Sequence, residues 1–142
     1  MYHYPRATVS GAARCIAMSY TKAMLEKKIR NIRFAINGIK IAWREEFSFK
    51  LEVFAALLVA FLGWFFAIST IEWVIVVFMI GLVLSAEAFN TALEELCDKF
   101  QSDPDPHIAK IKDLAAAAVL LTSTTAFIVG AVVFLPKLLS LV

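Results

Sequence analysis

Four polar residues close a segment that is otherwise nearly pure hydrocarbon. WVIVVFMIGLVLSAEAF fills residues 73–89, and Glu87, Asn90, Glu94 and Asp98 stand at its end. On a helix these four lie at about 0°, 300°, 340° and 20°, within a sector of about 80° and over about three turns. Glu95 falls off that stripe and reads as a solvated surface charge. A carboxylate within hydrocarbon is costly unless it is paired or wet, so it is a functional candidate by default. The plain alternative is that Glu87 pairs with a neighbouring helix and fixes packing. The alignment of Asn90, Glu94 and Asp98 with it argues for more than that.

Several carboxylates at one depth suit Mg²⁺, which keeps some of its waters and is held by one or two carboxylates plus substrate phosphates. A lysine nearby would neutralise phosphate charge, and a deeper carboxylate would accept the proton of a lipid hydroxyl. Together these are the parts of a phosphoryl transfer, where catalysis is mostly positioning and charge stabilisation. No P-loop or GxGxxG is present, and the five glycines are scattered at 11, 38, 63, 81 and 130. Any ATP site here must work through metal, carboxylates and lysine.

The elements that position these groups belong to a membrane protein. The chain has 142 residues, 61% of them hydrophobic, against about 45–50% in soluble domains. Val53–Ile68 and Trp73–Ala86 carry no charge, and Leu114–Leu135 is uncharged over 22 residues. Spanning helices take about 17–25 residues. Spans are therefore expected at about 50–69, 72–97 and 109–135, the second carrying Glu87 and Asn90 into the membrane region. A soluble bundle is the alternative, but a domain this small cannot bury three such helices on every side. The N-terminus lacks the apolar core of a secretory signal. Cys15 and Cys97 are isolated and suggest neither a disulfide nor a metal site.

Thirteen of the 14 basic residues lie before the first span or between the second and third. The positive-inside rule makes that side cytosolic, with the N-terminus inside. The net charge of +2 is thus a topology signal, and no nucleic-acid partner is expected, because the basic residues flank membrane spans. Ile29, Ile32, Ile36, Ile39 and Trp43 recur at steps of three and four, with basic residues over much of the remainder. That pattern predicts an amphipathic helix over about 27–46 lying in the membrane interface. Residues 1–26 read as a cytosolic tail with no assigned role. On this topology Glu94, Asp98, Lys112, Asp113, Glu45, Glu46 and Glu52 converge at the cytosolic face, and Glu72 is the one acidic residue on the other side.

The run E-x-x-N-x-x-x-E-x-x-x-D, followed 14 residues later by Lys112-Asp113 and then AAAAVLL, resembles the prokaryotic diacylglycerol kinases, a family that includes undecaprenol kinases. FAINGIKIAWREEFSFKLE is similar to the family's surface-helix motif, and the likeness covers about residues 27–136. The resemblance implies an all-α integral membrane fold, an amphipathic surface helix plus three transmembrane helices, assembled as a homotrimer in the bacterial cytoplasmic membrane. It implies that Glu87 is the general base, that Glu46 and Glu94 hold Mg²⁺, and that Lys27, Phe34, Asp103, Lys112 and Asp113 join them in binding ATP. Asn90 and Asp98 would support the site, and Lys40, Trp43, Phe49 and Glu52 would line the lipid pocket with Glu87. One loop departs from the family. Where an E-Y-H-like stretch is common, this chain reads QSDPDPH: Asp103 keeps the acid, but Pro104 and Asp105 replace the Tyr and His.

The expected reaction is MgATP-dependent phosphorylation of diacylglycerol to phosphatidic acid, with undecaprenol the alternative acceptor. Two readings from other classes are a proton-coupled transporter using Glu87 and a non-catalytic anchor subunit. The transporter leaves Glu46, Glu94, Asp98, Lys112 and Asp113 without work. Ala115–Ala118 would let helices approach closely, and the hydroxyls at 122–125 are expected to bond to their own helix.

Overall fold

The structure, a computed structural model, describes residues 6–100 and 105–140. They form four helices and no strand: α1 (Arg6–Glu45), α2 (Phe47–Phe65), α3 (Thr70–Phe100) and α4 (Pro106–Leu139). The last three are each long and apolar enough to cross a membrane. Leu57, Phe61, Phe78, Leu120 and Phe127 are among many large apolar side chains exposed on them. Such surfaces suit hydrocarbon as the surrounding solvent, with the backbone groups satisfied inside each helix.

The chain divides into two compact units, residues 1–40 and 41–142. The first unit contains most of α1, which starts at Arg6, inside the stretch read from sequence as a tail. Ile29, Ile32, Ile36 and Ile39 are exposed there, as an interfacial face requires. In the second unit α1 ends at Glu45, and Glu46 breaks the helix with extended backbone (φ −100°, ψ 122°) before α2 begins.

The α2–α3 hairpin is fixed by two local devices. At the end of α2 the N–H of Ala67 donates to the carbonyl of Trp64 at 3.2 Å, and that of Ile68 to Gly63 at 3.1 Å. This is a Schellman motif, which needs a left-handed residue at Ala67 (φ 48°). Gly63 lets the motif close: a Cβ there would stand 2.9 Å from the Trp73 ring and 3.1 Å from Ile68 Cδ1. At the start of α3, Ser69 and Glu72 form a capping box, with Ser69 N–H donating to Glu72 Oε2 at 2.6 Å and Glu72 N–H to Ser69 Oγ at 3.3 Å. Glu72 also pairs with Lys137 of α4 at 3.4 Å. The acidic residue that stood apart in the sequence thus caps α3 and ties it to α4 at one end.

The apolar core lies near that same end. Ile68, Val76 and Val133 are buried, with Val59, Phe66, Trp73, Ile80 and Phe134 packed around them. Val76 lies about 16 Å along α3 from Glu87, at 1.5 Å per residue. This cluster and Glu87 therefore lie toward opposite ends of the bundle, with Phe49, Cys97 and Ala115 buried separately toward the acidic end.

A left-handed non-glycine residue costs about 1–2 kcal/mol. Ala67→Gly should therefore raise the midpoint of thermal unfolding in detergent, while Ala67→Val, β-branched in the same conformation, should lower it. Equal midpoints for all three proteins would mean that no strain resides at this turn.

Candidate active site

The site is built on the last half of α3. Glu87 is 4% exposed although it is an acid in an apolar helix. Glu46 and Glu94 lie close enough to act on its charge, and the Ser48 hydroxyl lies beside it. Glu52, partly buried on α2, is within electrostatic reach of Glu87 as well. The break at Glu46 explains part of this convergence. The residue occupies the N-cap position of α2, yet its side chain makes no capping bond, so the carboxylate remains available to the cluster.

The stripe on α3 is internally ordered. Asn90 Nδ2 donates to Glu94 Oε1 at 3.1 Å, which restrains one carboxylate oxygen and leaves the other unclaimed by Asn90. One turn further on, Asp98 Oδ1 accepts from Lys112 Nζ of α4 at 2.5 Å. That pair is exposed, so it adds little to stability. Its effect is to hold the ammonium at the α3–α4 boundary. Lys112 and Asp113 sit in the second turn of α4, which begins at Pro106, and Asp113 is exposed.

The remaining sequence candidates fall in several places. Phe49 is buried at 5% exposure, and Trp43 is half exposed. Lys27, Phe34 and Lys40 are exposed residues of α1 in the first unit. Asp103 lies outside the described residues. Glu95 is exposed, as its position off the stripe requires. Thr122 and Thr125 return their hydroxyls to their own helix. Of Ala115–Ala118 only Ala115 is buried. Two polar residues of the cluster were not singled out from sequence. Ser48 is two residues from Glu46, and Thr91 is four from Glu87, 8% exposed.

His107 is in the first turn of α4 and exposed. Asp105 has a definite task. Its Oδ1 accepts from the N–H groups of His107 at 2.7 Å and Ile108 at 3.2 Å, and Pro106 follows at the first helical position. The departure in the loop therefore creates a strong N-cap for the helix that carries Lys112.

An apolar groove of about 700 Å³ opens among α2, α3 and α4. Val59, Met79, Gly130 and Phe134 are in its walls, and Glu52 and Ser123 are the polar residues lining it.

Comparisons with known proteins identify the family. The family model for prokaryotic diacylglycerol kinase matches residues 33–134. The chain belongs to that family. Undecaprenol kinase of Bacillus subtilis is 34% identical over 114 residues, 80% of this chain and 93% of that protein. Diacylglycerol kinase of Synechocystis is 34% identical over 112 residues, 78% of this chain and 64% of that protein. The Escherichia coli diacylglycerol kinase is 28% identical over 100 residues, 70% of this chain and 82% of that protein. The chain is thus a bacterial membrane protein and an ATP-dependent lipid kinase.

Loss of an Asp N-cap costs about 1 kcal/mol. Asp105→Ala should lower the unfolding midpoint while leaving the KM for ATP within about twofold of the parent, since a cap acts through the helix and not on the nucleotide. A large rise in KM at an unchanged midpoint would make Asp105 a nucleotide contact instead.

Proposed function

We propose that this kinase transfers the γ-phosphoryl group of MgATP to the hydroxyl of diacylglycerol, giving phosphatidic acid. The observation that carries the reading is the buried Glu87, with Glu46, Glu94 and Glu52 each within electrostatic reach of it and Glu52 also lining an otherwise apolar groove. The groove suits the hydrocarbon of a lipid, and the carboxylates suit the metal and the proton. A second reading has undecaprenol as the acceptor. It is favoured by the match to an undecaprenol kinase over 93% of that protein's length.

Mg²⁺ fits the residues present. Among the described residues no group of three or more His, Cys, Asp or Glu side chains is placed to hold a metal. A metal that arrives with nucleotide needs only one or two carboxylates, because the phosphates complete its shell. Glu46 and Glu94 supply that number, and their mutual nearness to Glu87 leaves negative charge that a cation would offset. When bound, Mg²⁺ would neutralise phosphate charge. The chain's own residues do the rest. Asn90 orients Glu94. Asp98 orients Lys112, whose ammonium meets the nucleotide phosphates beside Asp113. Glu87 accepts the proton of the lipid hydroxyl as its oxygen bonds to phosphorus.

The proposed assembly places this end of the bundle on the cytosolic side of the cytoplasmic membrane, where ATP is available. The support is the distribution of basic residues, all but one of which lie before α2's apolar stretch or near the α3–α4 connection. We also propose a homotrimer. Ala116–Ala118 are exposed on α4, and Gly81 has open space where a Cβ would stand, so other helices can approach both places closely.

The role assignment predicts different losses at two glutamates. Glu94→Gln should raise the Mg²⁺ concentration needed for half-maximal rate, with turnover recovered at high Mg²⁺. Glu87→Gln should abolish phosphorylation while nucleotide still binds, as measured by labelled-nucleotide retention. Full turnover by both variants at ordinary Mg²⁺ would overturn the assignment.

A further inference from the structure

Among the described residues three buried side-chain oxygens have no hydrogen-bond partner: Glu52 Oε2, Asn90 Oδ1 and Thr91 Oγ1. All three belong to the surroundings of Glu87. Glu52 is within electrostatic reach of it, and Asn90 and Thr91 follow it by three and four residues on α3. Thr91 is the least expected of the three. A threonine inside a helix normally returns its hydroxyl to a carbonyl one turn back. This chain follows that habit elsewhere: Thr122 Oγ1 donates to Ala118 O at 3.0 Å and Val119 O at 2.9 Å, and Thr125 Oγ1 to Leu121 O at 2.8 Å. Thr91 does not, although it is 92% withdrawn from solvent at 8% exposure, nearly as deep as Glu87. Buried polar groups without partners are rare in native structures, and each calls for a reason.

We propose that the Thr91 hydroxyl is a catalytic contact, donating to a non-bridging oxygen of the phosphoryl group as it passes to the lipid. The inference rests on the reading of Glu87 as the proton acceptor. At 1.5 Å per residue, Thr91 stands about 6 Å beyond Glu87 and about 4.5 Å short of Glu94 along the helix axis. That is the level between the group taking the proton and the carboxylate assigned to the metal. On the helix wheel Thr91 lies at about 40° and Asn90 at about 300°, so they flank the Glu87–Glu94 stripe on opposite sides. In the reaction the lipid O–H proton goes to Glu87, the lipid oxygen forms the new bond to phosphorus, and the bond from phosphorus to the oxygen retained by ADP breaks. Thr91 gives up no proton. Its donor is fixed in advance where negative charge must be held, in a site withdrawn from water, where such a donor acts most strongly.

Thr91→Val keeps the shape and removes the hydroxyl, and Thr91→Ser keeps the hydroxyl. Because the resting enzyme leaves this hydroxyl unpaired, Thr91→Val should unfold at the parent temperature or above it. Its kcat should nevertheless fall by roughly tenfold or more, with KM for ATP little changed, and Thr91→Ser should restore most of the rate. Parent-like kcat in Thr91→Val overturns the proposal. So does a loss of activity in Thr91→Val that Thr91→Ser fails to restore. Glu87→Gln, assayed alongside, separates the two levels of the argument. If it is silent while Thr91→Val is fully active, only the Thr91 contact fails. If Glu87→Gln turns over normally, the underlying assignment of the base fails first.

Discussion

Everything at the active end of this protein is organised around one costly fact, a carboxylic acid kept out of water inside an apolar helix. Glu87 is almost wholly buried, and its near neighbours include two further acids. An isolated charge in such a setting is strongly disfavoured. The surrounding groups make sense as the means of tolerating and using it: a hydroxyl beside it at Ser48, an amide that holds Glu94 in place and, further along α3, a lysine that Asp98 keeps within reach of Glu94. The proposed chemistry, which adds a metal cation and moves a proton onto Glu87, would relieve the same crowding.

The opposite end supplies the rigidity. The Schellman turn at Ala67, the capping box at Ser69 and the Glu72–Lys137 pair fix how α2, α3 and α4 leave that end. The buried cluster of Ile68, Val76 and Val133 lies with them. Helices held together at one end can diverge toward the other, and the groove running between them reaches Glu52. Changes at the turn should therefore be felt in folding before they are felt in turnover.

Much of this was legible in the sequence because the bilayer makes few residue types ambiguous. Uncharged runs of sufficient length announce helices α2 to α4, and an acid inside one announces a site. Helical periodicity then groups Asn90, Glu94 and Asp98 with Glu87. Other features left weaker traces. Thr91 looks neutral in an apolar segment, and only its missing hydrogen bond sets it apart. Ala67 stands where a glycine would have marked the turn. Asp105-Pro106 carries an N-cap signature, which the loss of the Tyr and His common in this loop obscures. The early start of α1 escaped because no long apolar run or cap residue marks where it begins.

The central claim is that a buried acid on α3 serves phosphoryl transfer to a lipid alcohol. The most direct measurement is transfer from γ-labelled MgATP by the purified full chain in mixed micelles, with diacylglycerol and undecaprenol as parallel acceptors. The account predicts labelled phospholipid that depends on added lipid and on Mg²⁺, with the larger kcat/KM in the diacylglycerol lane. A larger value with undecaprenol would keep the mechanism and change the acceptor. A well-folded protein that labels neither lipid would contradict the account.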